Sequence, residues 1–208
     1  MTDLTLSPLM IKALRIAPLL VNTFTLQYSL DEHQFFLPFT KQPSADGPSA
    51  LQPFVKKQVS SDDSDREAGK GYGQRAARVL PQYLSLFLKH GFPMITVGYP
   101  LNMTLAALNL LLPAAASSAA ARSFRSTVPG KWYLAGLSLT VAHMLWGPKA
   151  LNLLYEIQEL DDAKRKGGRP SVAAMVEWLR LNAIRTFLAD FTAWSCYLIG
   201  FLSSVDLL

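Results

Sequence analysis

The sequence is short of charge. Of its 208 residues 17% are Asp, Glu, Lys or Arg, against about 25% in an ordinary soluble domain. The charge present leaves long gaps, with none in 16–30, 92–121, 132–148 or 191–205. Cysteine is scarce too. A single one, Cys196, excludes a disulfide within the chain. The three histidines, His33, His90 and His143, stand too far apart for the spacing of a zinc or haem site. There is no Gly-rich phosphate loop, no serine-nucleophile elbow and no CxxC pair. The net charge of +5 is not gathered into a basic face with a recognisable module, so no nucleic-acid partner is expected.

What is there is apolar. Half of the residues are hydrophobic and the mean hydropathy is +0.19. A helix needs roughly 20 mostly apolar residues, and no fewer than about 17, to cross a bilayer. The run 92–121 is ample and 132–148 just reaches the limit. The run 16–30 is short unless Leu14 and Arg15 snorkel, and 191–205 suffices only if Arg185 and Asp190 are tolerated close by. The reading is an all-α, integral membrane four-helix bundle. It is one domain over 1–208, with spans of about Ala13–Leu30, Phe92–Leu112, Trp132–Leu151 and Leu181–Leu202. A soluble protein with buried helices is the competing reading, but the charge-free runs exceed the usual core helix. A cleaved signal peptide over the first segment, with Lys12 and Arg15 as its basic region, is another, although no clear small-x-small site follows Leu30.

The first connection is long. Its middle, 40–75, is rich in Pro, Ser, Gly and mixed charge, and reads as a flexible insertion. "DEHQFFLPF" continues the first helix along the interface. Leu80, Tyr83, Leu84, Phe87 and Leu88 form one apolar helical face, expected to lie on the membrane. In the third connection Pro170 breaks a helix and Ser171 is placed to cap the next. Lys and Arg number five on the side of the termini and fourteen on the other. The positive-inside rule puts the two larger loops in the cytosol and the termini in the lumen, in the endoplasmic reticulum or another endomembrane. "NMT" at Asn102–Thr104 fits the glycosylation pattern but falls within a span.

Each span carries a polar or small stripe. On a wheel of about 100° per residue, Asn182, Arg185, Thr186 and Asp190 share one sector. Leu181, Ile184, Leu188 and Phe191 lie opposite. The third span aligns Gly136, Thr140, His143 and Gly147. The second aligns Gly98, Tyr99, Asn102 and Asn109, and the first Asn22, Thr25, Ser29 and His33. Helix–helix contact explains any one stripe. Four converging stripes make a polar core, and a charge at the bilayer centre costs about 2.5–3.5 kcal/mol on insertion scales. Arg185 is either an interfacial residue paired with Asp190 or a ligand-facing cation. His143 is either a satisfied core imidazole or a base.

The order of span, long loop and three closer spans ends in a W-x3-N-x2-R helix, with Trp178, Asn182 and Arg185 in "WLRLNAIR", then Asp190 and Trp194. With "GPKALNLL" (Gly147, Pro148, Asn152) closing the third span, this resembles the fungal integral-membrane proteins related to anthrone oxygenases. It departs from their pattern at Asn182, where a His is usual, and in the long first loop. The resemblance implies oxygenation of a lipophilic aromatic intermediate of polyketide-type secondary metabolism, with no cofactor and no metal. It implies His143 or Asp190 as base, Arg185 with Asn182 holding an oxyanion, and Tyr99, Asn102, Trp178 and Trp194 against the substrate. Partners are then the lipophilic substrate, the bilayer and, as candidates, other pathway enzymes. Two further readings stand beside it: a non-oxidative membrane cyclase or isomerase, and a non-enzymatic scaffold or transport accessory.

Overall fold

The computed structural model describes residues 7–40, 65–111, 124–159 and 170–205, without the side chains of 65–75. Among them the chain is helical and forms four rods, the expected all-α bundle. Rod 1 is α1 (Pro8–Thr40). Rod 2 joins α2 (Asp65–Pro93) to α3 (Tyr99–Leu111) through a π-helical turn, Met94–Gly98. Rod 3 joins α4 (Val128–His143) to α5 (Gly147–Gln158) through a 3-10 turn, Met144–Trp146. Rod 4 joins α6 (Ser171–Arg185) to α7 (Thr192–Ser204) through a π-helical segment, Thr186–Phe191. Rods 1 and 3 each pack on both rods 2 and 4, and α2 also reaches α6. The expected insertion 40–75 lies outside the described residues over 41–64, while the backbone of 65–75 is already the start of α2.

Two α1 and α2 prolines are accommodated by neighbouring rods. Pro18 has no N–H for the carbonyl of Leu14, and the amide of Asn109 on α3 donates to that oxygen instead, at 2.6 Å. Pro81 likewise frees the carbonyl of Ala77, which accepts from the hydroxyl of Ser171 at 3.1 Å. Ser171 is therefore the first residue of α6 and not its cap. The N-cap position is Pro170 and has no side-chain bond. At α4 the cap is regular, with Thr127 Oγ1 accepting from Gly130 N at 3.2 Å.

The bundle has two halves of opposite character. In one, Phe36, Leu80, Leu84, Leu153, Ile157 and Met175 form an oily core, and the outward side chains are mixed, Arg78, Gln82, Lys89, Asn152 and Arg180 alternating with Phe35, Val79, Leu86 and Val176. In the other, Asn22, Thr25, Asn102, Asn109, Thr140 and Asp190 are buried. There the outward side chains include Phe24, Val97, Leu101, Val141, Leu188 and Leu202. Two corrections follow. The apolar face of Leu80, Leu84 and their neighbours packs against Phe36 and Trp178 inside the bundle, not on a membrane surface. Arg15 does not snorkel but is fully buried. Its Nη1 donates to Asn109 O at 3.0 Å and Oδ1 at 3.3 Å, and its guanidinium lies 3.2 Å from the centre of the Phe124 ring.

In the half with the polar interior, α4 and α7 are locked by reciprocal Gly–Tyr contacts. A Cβ on Gly136 would lie 2.7 Å from the Tyr197 ring, and one on Gly200 would lie 2.8 Å from the Tyr133 ring. Only glycine admits the facing aromatic at those positions, so small residues let the two helices approach closely.

Candidate active site

The three irregular turns meet at one level, where the two halves join. His143 is the last residue of α4, Tyr99 opens α3 after its π-turn, and Asp190 sits within the π-segment of rod 4. Such local unwinding re-aims side chains and recurs at functional sites. Here it brings together groups from three rods. His143 Nδ1 lies 2.5 Å from Asp190 Oδ1, both buried. The Tyr99 ring lies against the imidazole, centroids 4.1 Å apart and planes inclined by 34°. With Nδ1–H directed at a carboxylate, Nε2 is the nitrogen left to accept a proton.

A second cluster adjoins the first. Arg185 Nη2 donates to Asn182 Oδ1 and lies 3.6 Å from Glu32 Oε2. Asn182 Nδ2 donates in turn to the carbonyl of Ser29 at 3.1 Å. Both ends of the Asn182 amide are thus engaged, and it orients Arg185. The separation of Arg185 from Glu32 exceeds hydrogen-bond length, and the guanidinium Nε has no protein partner.

A cleft of about 410 Å³ opens onto both clusters. His143, Arg185 and Glu32 are among its few polar lining groups, set among Phe92, Ile95, Leu151, Leu154 and Trp178. An apolar recess with a few convergent polar groups is the usual form of a small-molecule site. A smaller cavity of about 300 Å³ lies between rods 1 and 4, lined by Ser29, His33, Asn182 and Thr186.

Of the expected site residues, His143, Asp190, Asn182 and Arg185 are brought together, and Trp178 lines the cleft. Tyr99 is present, but its face is taken up by His143. Asn102 is buried one turn further along α3, with neither amide atom hydrogen-bonded, and lines neither cavity. Trp194 is elsewhere. Its Nε1 donates to Thr23 at 2.9 Å and its ring stacks on Phe191. Glu32 is the functional side chain that sequence reasoning missed. The stripe Asn22, Thr25, Ser29 was its signal, because the next helical step of three residues is Glu32, whereas the expected step of four reached His33.

Fold and site together define an all-helical bundle with a buried imidazole–carboxylate pair and an arginine at an apolar cleft. The chain is similar to three curated fungal proteins over almost its whole length. It is 27% identical to the epoxidase gkaX of Penicillium citrinum over 94% of this chain and 96% of that protein. It is 25% identical to the probable epoxidase scpX of Mollisia scopiformis over 94% and 98%. It is 24% identical to the epoxidase pydX of an Acremonium species over 97% and 100%. These relatives bear out the resemblance to fungal proteins of the anthrone-oxygenase type. No family model matches the chain, and no solved structure matches it.

Proposed function

We propose that the chain is a multi-pass membrane oxygenase of secondary metabolism, acting on a lipophilic aromatic intermediate such as an anthrone. The observation that carries the reading is the His143–Asp190 pair beside Arg185 at the wall of an apolar cleft. The names of the three relatives support an oxygenase. The membrane setting is supported by two helices long and apolar enough to cross a bilayer, Pro8–Thr40 and Ala76–Leu111, whose apolar windows are only 33% and 28% buried within the bundle. A core helix of a soluble protein would be mostly buried. Their outward apolar faces fit lipid.

The chemistry balances without an outside reductant. The ring methylene of an anthrone is acidic enough for His143 Nε2 to take a proton, with Asp190 fixing the tautomer. The resulting enolate oxygen lies against Arg185, which Asn182 orients. One electron passes from the anion to O2, recombination forms a C–O bond, and His143 returns its proton to the peroxide anion to give a hydroperoxide. His143 then takes the second C–H proton as the O–O bond breaks and expels hydroxide, and passes that proton to the hydroxide. In sum, one ring methylene and one O2 give one ring carbonyl and one water. Trp178 would supply an apolar wall, and Tyr99 would hold the imidazole in place.

The relatives' names favour a second reading, epoxidation of a carbon–carbon double bond. That reaction consumes two electrons and two protons besides O2, so it requires a reduced electron carrier. One experiment separates the two. Wild type and Arg185→Gln are expressed in microsomes and quantified, then given ¹⁸O2 with an anthrone, or with a lipophilic alkene with and without reduced nicotinamide. Labelled quinone without reductant, lost from the variant per unit of quantified folded protein, is the expected outcome. Label only in an epoxide and only with reductant establishes the second reading. No label from abundant wild type removes both and leaves the cyclase and scaffold readings.

A further inference from the structure

The smaller cavity stands apart from the substrate cleft. Asn182, Arg185 and Glu32 form the wall between them, and His143 borders only the cleft. Its volume of about 300 Å³ is room for several water molecules at about 30 Å³ each. Its lining is mixed, with Leu30, Ala183 and Phe187 beside the polar groups, and two of those polar groups call for water. Thr186 Oγ1 and His33 Nδ1 are buried, border the cavity and have no hydrogen-bond partner. Ser29, Gln34 and Asn182 add polar atoms, and Gln34 is exposed on the C-terminal part of α1, in the half with the oily core. Thr186 itself is only 3% exposed. An orphaned hydroxyl at that depth costs about 1–3 kcal/mol, a cost that water removes.

One further group connects this cavity to the site. Asp190 uses Oδ1 on His143, while its Oδ2 is buried with no partner. Asn182, Thr186 and Asp190 follow one another at four-residue steps on the inward face of rod 4. Thr186 and Asp190 lie about one turn apart on the same π-helical segment and are both buried, so water at Thr186 stands one helical turn from Asp190.

We propose that the cavity between rods 1 and 4 binds water and exchanges protons between solvent and Asp190, on the far side of rod 4 from the substrate. The binding of water rests on the cavity alone, whereas the proton role rests on the oxygenase reading above. A proton gained by His143 at Nε2 is matched by one given from Nδ1 to Asp190, and then by one from Asp190 to water. The reverse order returns it. Substrate and protons thereby reach the same imidazole from opposite sides, and an apolar substrate can fill its cleft without cutting the pair off from solvent.

The test of water needs no substrate. In a Cys196→Ser background, Thr186→Cys and the outward-facing control Leu188→Cys are treated in membranes with a small charged methanethiosulfonate. An apolar maleimide reports total reactive thiol. The expected result is labelling at Thr186→Cys at least about tenfold faster than at Leu188→Cys, since reactivity follows thiolate access to water. Equal or slower labelling overturns the proposal. His33→Cys gives the same reading should Thr186→Cys fail to accumulate. For the proton role, Thr186→Val is expected to lower kcat about tenfold and enlarge the solvent deuterium isotope effect, with KM unchanged. An unchanged kcat and isotope effect overturns that role and leaves the oxygenase reading untouched.

Discussion

The contact between His143 and Asp190 makes a sharp demand on one atom. Asp190→Asn keeps the shape and removes the charge that selects Nδ1–H, so the imidazole no longer presents a lone pair to the cleft. The expected loss in kcat is about 10²-fold or more, at normal protein abundance, read as product per unit of immunoblotted protein. Glu32 and Arg185 make a different demand. Both are largely buried, with side-chain exposures of 2% and 12%, and removing one partner of such a pair costs about 3–5 kcal/mol. Arg185→Gln and Glu32→Gln alone should each lower the amount of folded protein, and the double variant should restore it. Activity should not return with it if Arg185 contacts the substrate anion. A double variant as depleted as the singles would show that the pair is not coupled. The four central side chains were legible in the sequence because a charge or an imidazole inside an apolar run stands out. Glu32 was not, since it follows the run between Asp31 and His33, where a carboxylate is ordinary. Arg15 misled for the same reason. At the end of a span a basic residue usually turns outward, and only the neighbouring Asn109 and Phe124, distant in sequence, show that this one turns in.

Helical periodicity located the inward stripes of the four rods. It says which side of a helix is apolar and leaves open what faces that side, which is why Leu80, Leu84 and Phe87 were assigned to a membrane surface and are found against Phe36 and Trp178. The turns that build the site were illegible for a related reason. A π-turn changes the register by one residue without a distinctive sequence, and both π-segments look like plain helix by composition. Ser171 shows how a local rule fails when a distant proline competes. Its position after Pro170 fits a cap, yet its hydroxyl serves Ala77, whose carbonyl Pro81 leaves without a donor. Ser171→Ala should therefore cost about 1 kcal/mol in the wild type. In a Pro81→Ala background it should cost clearly less, because residue 81 then supplies its own N–H. Thermal unfolding in detergent across this double-mutant cycle measures the coupling, and equal costs in both backgrounds would sink the account.

At the scale of the whole molecule the two halves make a statement about orientation. The half with an oily core and a mixed exterior holds the α1 C-terminus, the α2 N-terminus and the ends of α5 and α6 that flank 160–169. The Lys149–Glu177 ion pair, 3.2 Å and exposed, lies on its side of the site. The other half shows lipid-compatible side chains on its outer surface and holds the N-terminal end of α1 and the C-terminal end of α7. Along the sequence, Lys and Arg in and beside the first and third connections outnumber those near the termini and the second connection by fourteen to five. Burial of Arg15 takes one of the five out of the flanking charge and sharpens the bias. The oily-core half should then face the cytosol, with the active-site cleft near the cytosolic headgroups and both termini in the lumen. In sealed microsomes, protease added outside should cut within 41–64 and leave tags at both termini intact. An Asn-x-Thr acceptor in an N-terminal extension should carry glycan. The protein should stay with the membranes at alkaline pH. Digestion of the terminal tags with an uncut first loop would invert the orientation, and release at alkaline pH would reject the membrane reading altogether. The proton route makes the first outcome the chemically coherent one, because the cavity between rods 1 and 4 reaches the exposed Gln34 in the oily-core half and would draw its water from the cytosol.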